Sequence, residues 1–185
     1  RAYKSENPEF TYKVATEAGF EQIIEGDNLG VALTTTADIT SHVGSYDITG
    51  TAANTNYSVT ITGGLEALTI TKAESVPAVT DVVKSYVYTS GSKGNTEIID
   101  LSKEMNFPED CTDAVCQLTT AKDDDKLLGS AQTSKTTLQY SVNAVDKECI
   151  GKTAFLKVTI QMADYEDTTY ELTIKITEQK DVAGS

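Results

Sequence analysis

Tyr170-Glu171-Leu172-Thr173-Ile174-Lys175-Ile176 decides the fold class. Tyr170, Leu172, Ile174 and Ile176 point one way, and Glu171, Thr173 and Lys175 the other. An extended chain turns successive side chains to opposite faces, so this stretch reads as a strand with one face to bury and one to wet. The same period of two runs through Tyr57-Ser58-Val59-Thr60-Ile61-Thr62, Leu68-Thr69-Ile70-Thr71, Leu138-Gln139-Tyr140-Ser141-Val142 and residues 154–160. Weaker alternation predicts strands at 10–14, 31–36, 46–49, 82–88, 97–101 and 115–119. No amphipathic helix of ten or more residues is legible. The best helical stretch is Gly19 to Gly26, where Phe20, Ile23 and Ile24 are spaced for a turn or two. Turn residues separate the strands at Gly26-Asp27-Asn28, Asn54-Thr55-Asn56, Gly63-Gly64, Gly91-Ser92-Lys93-Gly94-Asn95 and Asp123-Asp124-Asp125. The expectation is an all-β chain of sandwiches or small open sheets, without βαβ units.

Composition narrows the function. The 185 residues carry 28 acids against 15 bases, a net charge of −13, with 28 Thr, one His and no Trp. Such a charge repels a phosphate backbone, which argues against nucleic acid as a partner. No stretch of apolar residues is long enough to span a bilayer, so no membrane insertion is expected. The chain opens at Arg1 without an apolar signal region and reads as a fragment of something longer. Val and Ile, with Thr sharing their stiffness at χ1, suit pleated surfaces, and Thr fits the wet faces.

The boundary is expected near residues 72–80, where a strand ends and Pro77, which cannot donate to a ladder, stiffens a short linker. This divides the chain into 1–75, a small β-rich module of β-grasp-like character, and 76–185, a module of comfortable sandwich size. A domain as small as the first buries only roughly 60 % of its surface.

The first module resembles the MBG-type repeat of bacterial surface proteins. The resemblance rests on Tyr3, Asn7-Pro8-x-Phe10-x-Tyr12, Gly26-Asp27, Val43-Gly44-Ser45-Tyr46-x-Ile48 and Asn56-Tyr57-x-Val59. Gly64 then leads to the closing Leu68-Thr69-Ile70-Thr71-Lys72-Ala73. One departure is Lys4, where many members place Gly after the first Tyr. The second module is similar to bacterial immunoglobulin-like or cadherin-like modules. There the carrying residues are Ile150-Gly151-Lys152-Thr153-Ala154, Val158-Thr159-Ile160, Ala163-Asp164-Tyr165-Glu166-Asp167-Thr168-Thr169-Tyr170 and the final strand to Thr177. These resemblances imply an extracellular protein of serial modules on the cell surface or wall of Gram-positive bacteria. The MBG family brings no catalytic residues.

Candidate chemistry is sparse. Cys111, Cys116 and Cys149 all lie in the second module. An extracellular setting permits one disulfide with a thiol left over. Cys111–Cys149 would contribute roughly 4 kcal/mol and Cys111–Cys116 about 2 in the chain-entropy model. The alternative is three buried, reduced thiols packing as small hydrophobes. Acids at 109–113, 123–125 and 164–167 offer oxygens for calcium, but without EF-hand spacing they read first as solvated turns. No metal site is expected, with His42 alone in the other module. No nucleophile elbow occurs, and the acids lack an aromatic-rich cleft, so the chain is read as non-enzymatic. Tyr86, Tyr88 and Tyr165 are the candidates for a glycan platform. Lys84, Lys157 and Lys175 lie on strands and would serve a Lys–Asn isopeptide bond, but they read as polar-face residues. Lys157, Glu171 and Lys175 read as charges guarding strand edges.

The expected function is structural: a monomeric spacer, without cofactor, whose partners are neighbouring domains of the parent chain and which displays an adhesive or enzymatic domain. The alternative is an adhesion module that binds host glycan or protein directly.

Overall fold

In a computed structural model the chain divides into two compact units, Arg1–Ala73 and Glu74–Ser185. The structure describes residues 1–15, 22–90, 96–143 and 146–178. It is all-β, built from several small sheets.

Among the described residues the first unit holds two antiparallel pairs: β1 (Val31–Thr35) with β3 (Ile48–Ala52), and β2 (Gly44–Tyr46) with β4 (Leu68–Ile70). The single strand expected at 46–49 is two strands in different sheets. Asp47 sits at the break. Its side chain accepts from Glu66 N at 2.8 Å and its carbonyl accepts from Thr35 Oγ1 at 2.7 Å, so the backbone there is held to two different segments. The core is small, with Tyr3, Leu29, Ala37, Leu68 and Ile70 buried. Tyr3 N donates to Thr71 O at 2.8 Å and Thr71 N to Arg1 O at 2.9 Å, which binds the start of the unit to its end. The guanidinium of Arg1 extends this tie. Its Nε donates to Asn7 Oδ1 at 2.6 Å, and Asn7 Nδ2 donates to Ala37 O at 2.7 Å.

Two expected strands do not form in this unit. Residues 10–14 and 57–62 are irregular, although 57–62 alternates as cleanly as any stretch in the chain. Alternation supplies a face to bury, but a strand also needs a neighbour to complete its hydrogen bonds. Of the expected helical stretch at 19–26, residues 19–21 lie outside the described residues, and the rest contains only a turn. The expected turn at 91–95 also lies outside them.

Among the described residues the second unit holds seven strands in two sheets. One has the order β5 (Val79–Val87), β11 (Thr168–Thr177), β10 (Thr153–Gln161), β7 (Val115–Lys122). The other has the order β6 (Thr96–Asp100), β9 (Thr137–Val142), β8 (Leu128–Ser134). All pairings are antiparallel except β5 with β11, which is parallel. Alternation becomes burial here. Tyr170, Leu172, Ile174 and Ile176 on β11, Leu156, Val158 and Ile160 on β10, and Leu138 and Tyr140 on β9 are fully buried. Each such side chain contributes roughly 1.5–3 kcal/mol of transfer free energy. Between the sheets, Tyr86 and Tyr140 meet edge to face at 85° with their hydroxyls 2.6 Å apart. Thr168 Oγ1 and the Tyr170 hydroxyl are buried without a hydrogen-bond partner among the described residues.

The outer faces are wet, as the Thr content implied, and they are cross-linked by hydroxyl pairs. Thr119 and Thr159 meet at 3.2 Å, Ser130 and Ser141 at 3.0 Å, and Thr34 and Thr49 in the first unit at 3.2 Å. Lys157 and Glu171 face each other directly across β10 and β11 with an ion pair at 2.8 Å. They therefore pair with one another in mid-sheet. The sheet's edges are β5 and β7, which corrects the expectation that these charges guard them. A helical turn, α1 (Leu101–Glu104), follows β6; Asp100 caps it through Ser102 N and buries Leu101.

Candidate functional site

A concavity lies in the first unit. It is a groove of about 1020 Å³ whose wall is formed by Val31 and Leu33 of β1, Ile48 of β3 and the segments 9–15 and 56–64. The two segments that alternate without pairing thus flank it. An adjoining hollow of about 730 Å³ runs along Asp47–Ala52 and back to Tyr57. The groove's apolar face includes Phe10, Val14, Val59 and Ile61, and its ionisable lining includes Glu9, Tyr12, Lys13 and Tyr57. Tyr57 is engaged at the rim: its hydroxyl donates to Asp27 Oδ2 at 2.6 Å and accepts from Ile24 N at 3.0 Å. The Asp27 hydrogen bond, followed by burial and the Asp27 charge, outweighs the Ile24 N–H and raises the phenol above its ordinary value.

The three sequence-flagged cysteines are free thiols. Cys149 closes a 3₁₀ turn just before β10, where Gly151 N donates to Ile176 O at 2.9 Å. Cys111 lies at the other end of that strand. Beside it, Asp110 accepts from the Tyr165 hydroxyl at 3.2 Å and Asp113 accepts from Ala163 N at 3.0 Å. Cys116 faces Ile160 near the same end. The nine residues of β10 separate the two ends by about 30 Å. A disulfide needs Cα atoms within about 7 Å, and this placement of Cys149 across β10 from Cys111 and Cys116 fits the reading of separate reduced thiols, one of the two alternatives the sequence left open. Burial, with the Asp100 charge and Cys111 adding to it, pushes the Cys116 thiol up to about 11. Burial and then the charges of Asp113 and Asp110 raise Cys111 as well. Both thiols are held protonated, which disfavours nucleophilic chemistry.

The acids sit where backbone donors need them. Asp123 accepts from Leu127 N at 2.6 Å and Leu128 N at 2.8 Å, fixing the acidic turn that leads into β8. Asp125 pairs with Lys152 at 3.1 Å. Among the described residues no group of three or more His, Cys, Asp or Glu is placed to hold a metal ion. His42 stacks on Tyr3 with the rings 5° from parallel and centroids 6.2 Å apart, a packing contact at the first unit's edge.

The tyrosines flagged for sugar binding are partly committed elsewhere. Tyr165 is buried against Asp110, and Tyr86 bonds Tyr140 between the sheets. Lys84 is a correction. It pairs with inward-facing Ile174 and lies half-buried on the same face as Val82 and Tyr86, not on a polar face. The extra residue in β5 sets this parity, for Tyr170 pairs with Val79 but Leu172 with Val82, and Asp81 takes φ +61° in the bulge. Lys157 and Lys175 do lie on the outer face.

The groove is the feature that sequence reasoning missed. Its signal was present in 10–14 and 57–62, two apolar alternations in a unit with few strands for them to join.

Comparison with known proteins adds a family match and a weak structural likeness. No curated protein matches the chain. Among solved structures, an endo-fucoidan hydrolase from glycoside hydrolase family 107 is similar with 13 % identity and a TM-score of 0.35. The match covers 84 % of this chain but only 24 % of that one. The family model described as MBG domain (YGX type) matches residues 1–69. That description accounts for the turn at the N-terminus. Ser5 N donates to Ala2 O at 3.2 Å, and Lys4, which stands in the position of the family's Gly, takes φ +61°. The MBG match thus spans nearly all of the first unit, and it includes the residues that open that unit.

Proposed function

We propose that the chain is a non-catalytic spacer segment of a bacterial cell-surface or secreted multi-domain protein, which holds adhesive or enzymatic domains away from their attachment point. The observation that carries this reading is the MBG match over residues 1–69, a domain whose resemblance points to serial modules on bacterial surfaces. The second unit supports it. Numbered within the unit, its strand orders are 1-7-6-3 and 2-5-4. We read this order as immunoglobulin-like, with the first strand moved beside the last. Its outer faces carry hydroxyl pairs and an ion pair instead of an aromatic platform.

A second reading, direct binding of a host glycan or protein, is favoured by one observation, the apolar groove of the first unit. Glycan arrays and immobilised matrix proteins probed with the 185-residue chain separate the two. A spacer gives no saturable binding at micromolar concentration. Saturable binding that is lost on Tyr12→Ala or Phe10→Ala at the groove overturns the spacer reading.

A further inference from the structure

Residues 57–62 run beside β3 without forming a ladder, although β3 is arranged to accept one. Backbone groups alternate sides along a strand. Ala53 N donates to Gly30 O at 3.1 Å, so the polar groups of Thr49 and Thr51 also face β1. Ile48 N donates the other way, to Gly64 O at 2.7 Å. Gly50 and Ala52 therefore turn their N–H and C=O groups toward 57–62. Among the described residues no backbone bond joins Gly50 or Ala52 to that segment.

The side chains already mark a register. A Cβ on Gly50 would lie 2.5 Å from Ile61 Cδ1 and 2.7 Å from Leu33 Cδ2, so the glycine leaves a notch that Ile61 enters. With Ile61 opposite Gly50, Val59 falls opposite Ala52. Since Leu33 pairs with Gly50 and Val31 with Ala52, two rows form on one face: Leu33–Gly50–Ile61 and Val31–Ala52–Val59. This register would bring Gly63 opposite Ile48, yet the bond formed is to Gly64. One extra residue is present, and Gly63 takes φ +75°, the left-handed conformation of the first residue of a glycine bulge. Gly64 approaches the Ile48 carbonyl so closely that any Cβ there would overlap it.

We propose that residues 57–62 are a strap that closes onto β3 as a third antiparallel strand, with Ile61 opposite Gly50, Val59 opposite Ala52, and Gly63-Gly64 as the bulge that starts the ladder. Closing forms reciprocal backbone bonds in the Gly50–Ile61 and Ala52–Val59 pairs. It turns Val59 and Ile61 over the apolar groove and leaves Ser58, Thr60 and Thr62 in water. The groove is then the open state of the module's own core.

Amide hydrogen exchange read by NMR on the 185-residue chain tests this. In the closed strap the amides of Gly50, Ala52, Val59 and Ile61 exchange roughly tenfold or more slowly than those of Ser58 and Thr60, which face away from β3. Uniformly fast exchange from 57 to 62 overturns the proposal. Two proline variants fix the register. Ile61→Pro removes a ladder donor and abolishes the protection at Gly50 and Val59. Thr60→Pro removes an outward N–H and preserves the protection. Equal loss in both variants also overturns the proposal.

Discussion

Residues 57–62 in the first unit and 170–176 in the second have the same pattern of apolar and hydroxyl or charged side chains, yet only the second is a strand. β11 has β10 on one side and β5 on the other, so its backbone is paired along both edges, and Tyr170, Leu172, Ile174 and Ile176 are fully buried. Residues 57–62 meet a two-stranded sheet, and the backbone bond that ties them toward it, Ile48 N to Gly64 O, lies beyond their end. The pattern proposes a face, but the number of neighbours determines whether the face is buried. This difference is sharpest in the cost of truncating an inward residue.

Leu172→Ala, at a fully buried site in mid-sheet, is expected to cost about 3 kcal/mol, since buried Leu→Ala changes leave cavities that close only in part. Ile61→Ala, at a residue 37 % exposed, is expected to cost under about 1 kcal/mol. Urea unfolding of both variants measures the contrast, and equal costs would erase the distinction between the units. Tyr86→Phe comes next. It leaves the buried Tyr140 hydroxyl without its partner and is expected to cost about 1–2 kcal/mol. The loss should appear in the transition of the second unit alone. A loss shared by both units would mean that they do not unfold separately.

Lys4→Gly tests the first unit in the opposite direction. The left-handed turn strains any residue with a Cβ, whereas Gly loses more freedom on folding and forfeits the contact of Lys4 with the Tyr3 ring at 5.9 Å. The net expected gain is about 0.5 kcal/mol. A destabilised variant would show that the ring contact outweighs the backbone strain. The smallest effect belongs to Asp38. Hydrogen bonds from Thr40, then from Ser41, hold its carboxyl below the ordinary 3.8 against a lesser cost of burial. A lowered folded value adds stability above the ordinary value, and this is lost as pH falls through the folded one. Carboxyl NMR titration should place the Asp38 midpoint below 3.8, and Thr40→Val should bring it back up.

Most of the second unit was legible in the sequence because its strands carry their own evidence. β7, β9, β10 and β11 fall where alternation placed them. β8 was missed for a physical reason. Leu128-Gly129-Ser130-Ala131-Gln132-Thr133-Ser134 has no apolar face, and it is a strand because β9 lies beside it and Asp123 fixes its entry. Lys84 was assigned to the wrong face because both faces of this strand carry apolar residues, Val82 and Tyr86 on one and Val83 and Val87 on the other, so composition does not mark which is turned inward. The thiols could be named but not paired, since sequence separation does not reveal that Cys111 and Cys149 lie at opposite ends of β10. The groove was legible only as two strands that the first unit could not accommodate.

The parallel pairing of β5 with β11 has a mechanical consequence. These are the first and last strands of the second unit, and they run the same way from the Val79–Tyr170 pair to the Val87–Thr177 pair. A pull applied through the two ends of the unit drags them lengthwise past each other. The bonds of the ladder are then loaded together, in shear, instead of being peeled one at a time. In a chain tethered at one end and tugged at the other, the second unit is expected to be the fuse that holds while the strap and the sparse sheets of the first unit give way. Single-molecule stretching would show this as an early, weak unfolding event followed by a late, strong one.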